Sequence, residues 1–255
     1  MRKNIPSIIL LTSVLLSSCT TPHFYYTPII QNVPLFNDKN QFSGYLAGSF
    51  GTVNSCFEIQ TGFSLPGHVA LTANYMTGGN NHSSEYYDDF ARINYFESSL
   101  GFYRSFENIG VFEIYSGYGR GFQRHVFTSW QSWSLEADGK ADMSFSKIFI
   151  QPDIGIKKGW MEAAFSCRLT RLNFSGIRID NTVYHLDELN ILKQNSTPWL
   201  VEPAFTFRGG SKSVKGQIQV LFTGNLTNSN LMFERFRFNI GLYFSLSKKQ
   251  SKNNI

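Results

Sequence analysis

Beyond Gln41 the chain alternates apolar and polar residues with a period of two, segment after segment, and this limits it to sheet. In CFEIQTGFSL, Phe57, Ile59, Thr61, Phe63 and Leu65 share one face, while Cys56, Glu58, Gln60, Gly62 and Ser64 share the other. A strand points successive side chains to opposite faces, whereas a helix would scatter the same pattern around its circumference. SKIFIQPDIGI sets Ile148, Ile150, Pro152, Ile154 and Ile156 against Lys147, Phe149, Gln151 and Asp153. WMEAAFSCRL sets Ala163, Phe165, Cys167 and Leu169 against Glu162, Ala164, Ser166 and Arg168. FRFNIGLYFSL does the same with Phe236, Phe238, Ile240, Leu242, Phe244 and Leu246 against Arg237, Asn239, Gly241, Tyr243 and Ser245.

About ten strands are expected, near 42–51, 55–65, 69–77, 91–105, 111–124, 144–157, 161–173, 199–208, 214–225 and 233–247. Most reach the ~9–11 residues of a tilted membrane strand, where globular strands average ~5–6. Their connections fall into two sets. Pro66-Gly67-His68, Glu107–Gly110, Lys158-Gly159 and Gly209–Lys212 read as tight hairpin turns. The segments 78–90, 125–143 and 174–198 are long and polar, with 51–54 and 226–232 shorter. Within 174–198, YHLDELNILKQ from Tyr184 has the spacing of a short helix, with Leu186, Leu189 and Leu192 on one side. Short turns thus gather at one end of the sheet and long loops at the other, the outer-membrane barrel pattern. The expected fold is all-β: an antiparallel up-and-down transmembrane β-barrel of about ten strands, with both chain ends on the periplasmic side.

Alternating strands also fit a soluble lipid-carrying barrel, apolar inside and polar outside. The polar face argues for the membrane arrangement. It is rich in Ser, Thr, Gln, Asn and Gly, and charged residues are only 16% of the chain, below the ~25–35% of a water-facing surface. Face parity also balances the charges. Glu58, Glu97, Glu113, Asp153, Glu162 and Glu202 are matched by Lys147, Arg168, Arg208, Lys215, Arg235 and Arg237. Neutralisation is what an inward-facing set needs, because an unpaired buried charge costs several kcal/mol. This set is expected to be structural, with binding as the alternative. Large inward groups such as Tyr103, Tyr115, Phe149 and Tyr243 disfavour a general diffusion pore.

The N-terminus carries a different signal. Arg2 and Lys3 precede an apolar core from Ile5 to Leu16, too short to span a bilayer and followed by small residues. Leu16-Ser17-Ser18-Cys19 resembles the lipobox of bacterial lipoproteins. That resemblance implies cleavage after residue 18 and acyl chains on Cys19. The alternative is an ordinary signal peptide with an incidental cysteine. The expected organisation is a lipoprotein signal peptide at 1–18, a Pro-containing tether at 19–41, the barrel at 42–247 and a polar basic tail at 248–255. Pro22, Pro28 and Pro34 fix extended backbone and remove donors along the tether.

Chemistry is harder to find. Cys56 and Cys167 fall on opposite sheet faces, so no disulfide is expected, and no Cys/His cluster points to a metal or other cofactor. No basic block with regular aromatics argues for nucleic acid. His125 near Ser129 and Ser132, His82-Ser83-Ser84-Glu85, and His185 near Asp187 and Glu188 lack a recognised nucleophile motif. Trp130, Trp133, Tyr86 and Tyr87 suit either a glycan or protein contact at the outer loops or interfacial anchoring.

The lipobox, NVPLF at Asn32–Phe36, FEIQTGFSLPGHVALTANYM, VFEIYSGYG at Val111–Gly119 and IFIQPDIG at Ile148–Gly155 resemble uncharacterised outer-membrane β-barrel lipoproteins of the Bacteroidota type. The resemblance covers most of the mature chain and transfers no catalytic residue. It implies location and architecture, a lipid-anchored barrel of the outer membrane; the function expected is a structural or binding role through the outer loops, with membrane lipid as a partner. The competing expectations are an enzyme modifying envelope lipid and a periplasmic lipid carrier.

Overall fold

The computed structural model describes residues 25–83, 87–106, 109–129, 137–180, 190, 192–227 and 233–247. The strands are β1 (Gln41–Gly51), β2 (Ser55–Ser64), β3 (Val69–Ser83), β4 (Tyr87–Phe106) and β5 (Gly110–Ser129), then β6 (Ala137–Lys158), β7 (Met161–Asp180), β8 (Trp199–Gly210), β9 (Val214–Phe222) and β10 (Phe236–Ser247). After Thr223, Gly224–Asn225 resumes the line of β9 and pairs with Leu200 and Val201 of β8. Each strand lies antiparallel to its chain neighbour from β1 to β9. β10 pairs with β9 and, from Gln41↔Ser247 to Gly51↔Arg237, with β1. That last pairing closes the sheet, giving a ten-stranded antiparallel barrel with no free edge.

The closed ring answers which face points inward. On β6, Ile148 is 54% exposed and Ile156 46%, while Gln151 and Asp153 between them are each 1%. Leu242 on β10 is 53% exposed beside a buried Tyr243. The apolar face is therefore outside and the polar face inside, the membrane-barrel arrangement. From Ile148 to Ile156 the outward belt runs eight residue steps, ~20 Å of height for a strand tilted about 40°. Trp160, Phe106 and Phe102 lie outward at the short-turn edge, and Trp199, Tyr118 and Tyr75 toward the other, as interfacial girdles do. A lipid-carrying barrel needs an apolar cavity, so this polar interior overturns that alternative.

Two expectations about elements change. The segments 78–90 and 125–143 do not begin as loops at the end of the belt. β3 and β4 stay paired out to Ser83↔Asp88, and β5 and β6 to Thr128↔Ala137. The ladder outlasts the apolar pattern because cross-strand hydrogen bonds need no lipid-facing side chains once the strands leave the membrane. β7 likewise runs to Asp180. The helix expected from Tyr184 falls largely outside the described residues; residues 192–194 are helical and Leu192 is buried.

The larger change concerns 19–41, expected as a tether. Tyr25 to Phe36 are all buried, inside the ring. At the short-turn end, the Phe36 ring meets Tyr103 at a centroid distance of 5.8 Å. Asn37 and Asp38 donate backbone N–H to the Gln41 side chain at 2.9 and 3.1 Å, which turns the chain into β1. At the loop end, Tyr25 stands edge-on to His125 at 6.0 Å and Tyr26 to Phe145 at 5.6 Å. The segment is a plug that runs the length of the lumen.

Candidate functional site: the occupied lumen

An extended segment buried without a strand partner leaves its backbone N–H and C=O groups to be satisfied by something else. Here the inward side chains of the barrel take that part. Ile30 N donates to Glu58 Oε2 at 3.1 Å, and Ile30 O accepts from Gln60 Nε2 at 2.9 Å. Gln219 holds the next residue from both sides: Gln31 N donates to its Oε1 at 2.8 Å, and its Nε2 donates to Gln31 O at 2.9 Å. Asn32 O accepts from Gln151 at 2.9 Å, Val33 O from Arg208 at 2.5 Å, and Pro34 O from the Tyr243 hydroxyl at 2.7 Å. Lys157 Nζ donates to Leu35 O at 2.8 Å. Glu113 accepts the backbone N–H of both Leu35, at 3.0 Å, and Phe36, at 2.7 Å. Pro34 has no N–H to place, so proline suits a segment held in this way.

Side chains of the plug extend the same network. The Tyr26 hydroxyl donates to Glu202 Oε1 at 3.0 Å and accepts from Lys147 Nζ at 3.3 Å. Asn32 Nδ2 donates to Asn74 Oδ1 at 2.7 Å and to Thr61 O at 2.9 Å, and Gln31 Nε2 donates to Glu202 O. Asn54 Nδ2 donates to the Thr27 hydroxyl at 2.8 Å. The apolar side chains Val33 and Leu35 pack with Val111 and Ala164, and Ile30 packs with Tyr45, Ala47 and Tyr243.

Of the charges expected inside, Glu58, Glu97, Glu162, Lys147, Arg168, Arg208, Lys215 and Arg237 fall into three ion groups, while Glu113, Asp153 and Glu202 are held by neutral donors. Glu97 meets Lys147 at 3.0 Å and Arg168 at 3.1 Å. Glu162 meets Lys215 at 2.7 Å, Arg208 at 3.2 Å and Lys157 at 3.7 Å. Arg237 meets Glu234 at 2.8 Å and Glu58 at 3.6 Å. Asp153 accepts from Gln151 at 3.0 Å, and Glu202 also accepts from Thr170 at 3.0 Å. Each group places carboxylate and cation within hydrogen-bond or near-contact range in a buried interior, where an unpartnered ion would be costly.

One predicted member fails. Arg235 is exposed, because β10 begins only at Phe236 and strict alternation does not extend back past it. Glu234 turns inward in its place. Sequence parity passed over Lys157, half-buried at the short-turn end, and Gln219, and it put Gln60 and Gln151 on the inward face without the role they have in gripping the plug.

The other candidates are placed as follows. Cys56 faces inward and Cys167 outward, and both are free thiols. His125 is not a loop residue: it sits in β5, buried, with Gln123 at 2.6 Å and the Tyr25 ring against it. Among the described residues no cluster of His, Cys, Asp and Glu is arranged to hold a metal. Cys19 and the side chains of His82, Ser83, Ser84, Glu85, Tyr86, Tyr87, Ser129, Trp130, Ser132, Trp133, His185, Asp187 and Glu188 lie outside the described residues.

Fold and lumen together define a membrane-type β-barrel sealed by its own N-terminal segment. No protein-family model matches the chain, and no curated protein matches it in sequence. Among solved structures it is similar to an outer membrane channel from Pseudomonas putida F1, with 10% identity, a TM-score of 0.45, and coverage of 86% of this chain and 100% of that one. It is also similar to the translocator domain of the autotransporter NalP from Neisseria meningitidis, with 10% identity, a TM-score of 0.44, and coverage of 82% and 89%. The N-terminal β-barrel domain of OprF from Pseudomonas aeruginosa is a third, with 8% identity, a TM-score of 0.31, and coverage of 82% and 98%.

Proposed function

We propose that this protein is a lipid-anchored barrel of the bacterial outer membrane that conducts nothing through its lumen and works, as a scaffold or binding platform, through its loop end. The observation that carries this reading is the plug: an interior whose polar side chains are spent on Tyr25–Phe36 has no water-filled path to offer. The outward apolar belt supports a membrane setting, because the same belt in water would be a single apolar surface far above the few hundred Å² a soluble monomer shows. Only closed barrels and helices satisfy their backbone within lipid, and among the described residues no helix is long and apolar enough to cross. The lipobox at Leu16–Cys19 supports the anchor. An enzyme acting on envelope lipid draws no support from His125, whose ring is covered by Tyr25.

The test is ion conductance in planar bilayers. The full-length protein is expected to insert, shown by heat-modifiable gel mobility, and to stay silent. A variant lacking residues 25–36 is expected to give steady channels. Channels of equal size from both proteins would defeat the sealed-platform reading.

A further inference from the structure

The direction of the plug has a topological consequence. β1 begins, and β10 ends, at the short-turn end, where Gln41 pairs with Ser247. From Gln41 the chain traced backward does not leave on that side. It turns at Asn37 and Asp38, enters the lumen at Phe36 and reaches the loop end at Tyr25. Tyr25 lies against His125, which stands beyond the outward belt of β5: after Tyr118 the exposed residues are Arg120, Phe122 and Arg124, and Arg124 pairs with Asp142 at 2.7 Å. The two ends of the described chain therefore lie on opposite sides of the membrane.

We infer that the mature N-terminus, with the acyl chains of Cys19, emerges at the loop end of the barrel and anchors in the leaflet on that side. This rests on the lipoprotein reading and replaces the expectation that both ends share the periplasmic side. The argument is one of reach. Cys19 is six residues from Tyr25, so it lies within ~20 Å of it. Regaining the short-turn side means covering the length of the plug, eleven steps from Tyr25 to Phe36, or ~34 Å at an extended ~3.1 Å per residue. The way back through the lumen is already filled by the plug. Outside the barrel, the hydrocarbon layer would have to take backbone with no hydrogen-bond partners, which lipid does not tolerate. With the long loops facing out of the cell, the lipid is thus displayed in the outer leaflet, and the chain passes through its own barrel to reach it.

Single cysteines and a membrane-impermeant maleimide test this in whole cells, with the parent protein as background for Cys56 and Cys167. Thr21→Cys reports the N-terminal segment, Asn228→Cys the loop end and Lys212→Cys the short-turn end. Heat-modifiable mobility verifies that each variant has folded. Labelling of Thr21→Cys and Asn228→Cys on intact cells, with Lys212→Cys labelled only after lysis, is the expected result. If Thr21→Cys instead follows Lys212→Cys, the threaded exit is overturned while the orientation stands. If Thr21→Cys and Asn228→Cys both need lysis and Lys212→Cys does not, the threading holds and the outward-loop orientation falls.

Discussion

At the scale of single residues, the interior is organised around carboxylates that serve two masters. Glu58 pairs with Arg237 and also accepts the Ile30 N–H. Glu113 takes no cation within salt-bridge distance among the described residues, and its two oxygens accept the adjacent N–H groups of Leu35 and Phe36. An N–H donated to a carboxylate is stronger than one donated to a neutral oxygen. Replacing Glu113 by Ala leaves two buried donors unmet, at about 1–3 kcal/mol each. Glu113→Ala is therefore expected to destabilise the barrel by about 2–6 kcal/mol. Glu113→Gln, which keeps one acceptor oxygen, is expected to recover part of the loss. Urea titration read by the folded and unfolded gel bands measures both, and equal stability of all three proteins would refute the role assigned to this residue.

At the scale of elements, the strands were legible and the plug was not. Period-two alternation located all ten strands, because the membrane imposes one apolar face for as long as a strand is in contact with lipid. It lost the strand ends, because Arg124 and Arg178 extend ladders whose outward face is polar. It misplaced Arg235 for the opposite reason, because β10 begins only at Phe236 and the alternation does not reach back to it. The plug escaped because its prolines fit a solvated tether as well as they fit a backbone held by side chains. One signal was available: Tyr25, Tyr26, Ile29, Ile30, Val33, Leu35 and Phe36 are too apolar for a linker in water. A second lay in the strands. Gly62 faces the lumen, and a Cβ there would meet the Ser43 hydroxyl at 2.6 Å, Phe36 at 3.1 Å and Pro34 at 3.2 Å. A small residue at that point makes room for the plug. Gly62→Val is expected to cost about 1–3 kcal/mol by overpacking. Most of that cost should vanish in a background lacking residues 25–36, as the same urea titration of the four proteins would show. An undiminished penalty there would mean that Gly62 answers to its own strand and not to the plug.

At the scale of the whole molecule, the proposed lipoprotein would have two separate attachments to the membrane, the barrel and the lipid. The belt from Ile148 to Ile156 and its counterparts on the other strands bury apolar surface without help from an acyl chain. Cys19→Ala is accordingly expected to abolish palmitate incorporation while any exported protein still inserts and shows heat-modifiable mobility. Loss of insertion, with export intact, would show that the acyl chains are needed to seat the barrel. The location of each part follows from physics that the sequence carries in the open: lipid outside, charge neutralised inside, short turns at one end. Which end of the barrel the N-terminus leaves by could not be read this way. Direction through a lumen depends on contacts such as Tyr25 with His125 and Phe36 with Tyr103, which lie far apart in the chain.

The seam between β1 and β10 has a bearing on the order of events during folding. The residues just upstream of β1 occupy the middle of the ring that β1 helps to complete. A finished ring filled with side chains has no opening through which the upstream chain could later be drawn. The seam must therefore zip last, around a thread already laid down. The product is linked like a bead on its own string, and a cut in the exposed chain at Asn37–Asn40 would separate the plug from β1 while leaving it held inside the ring.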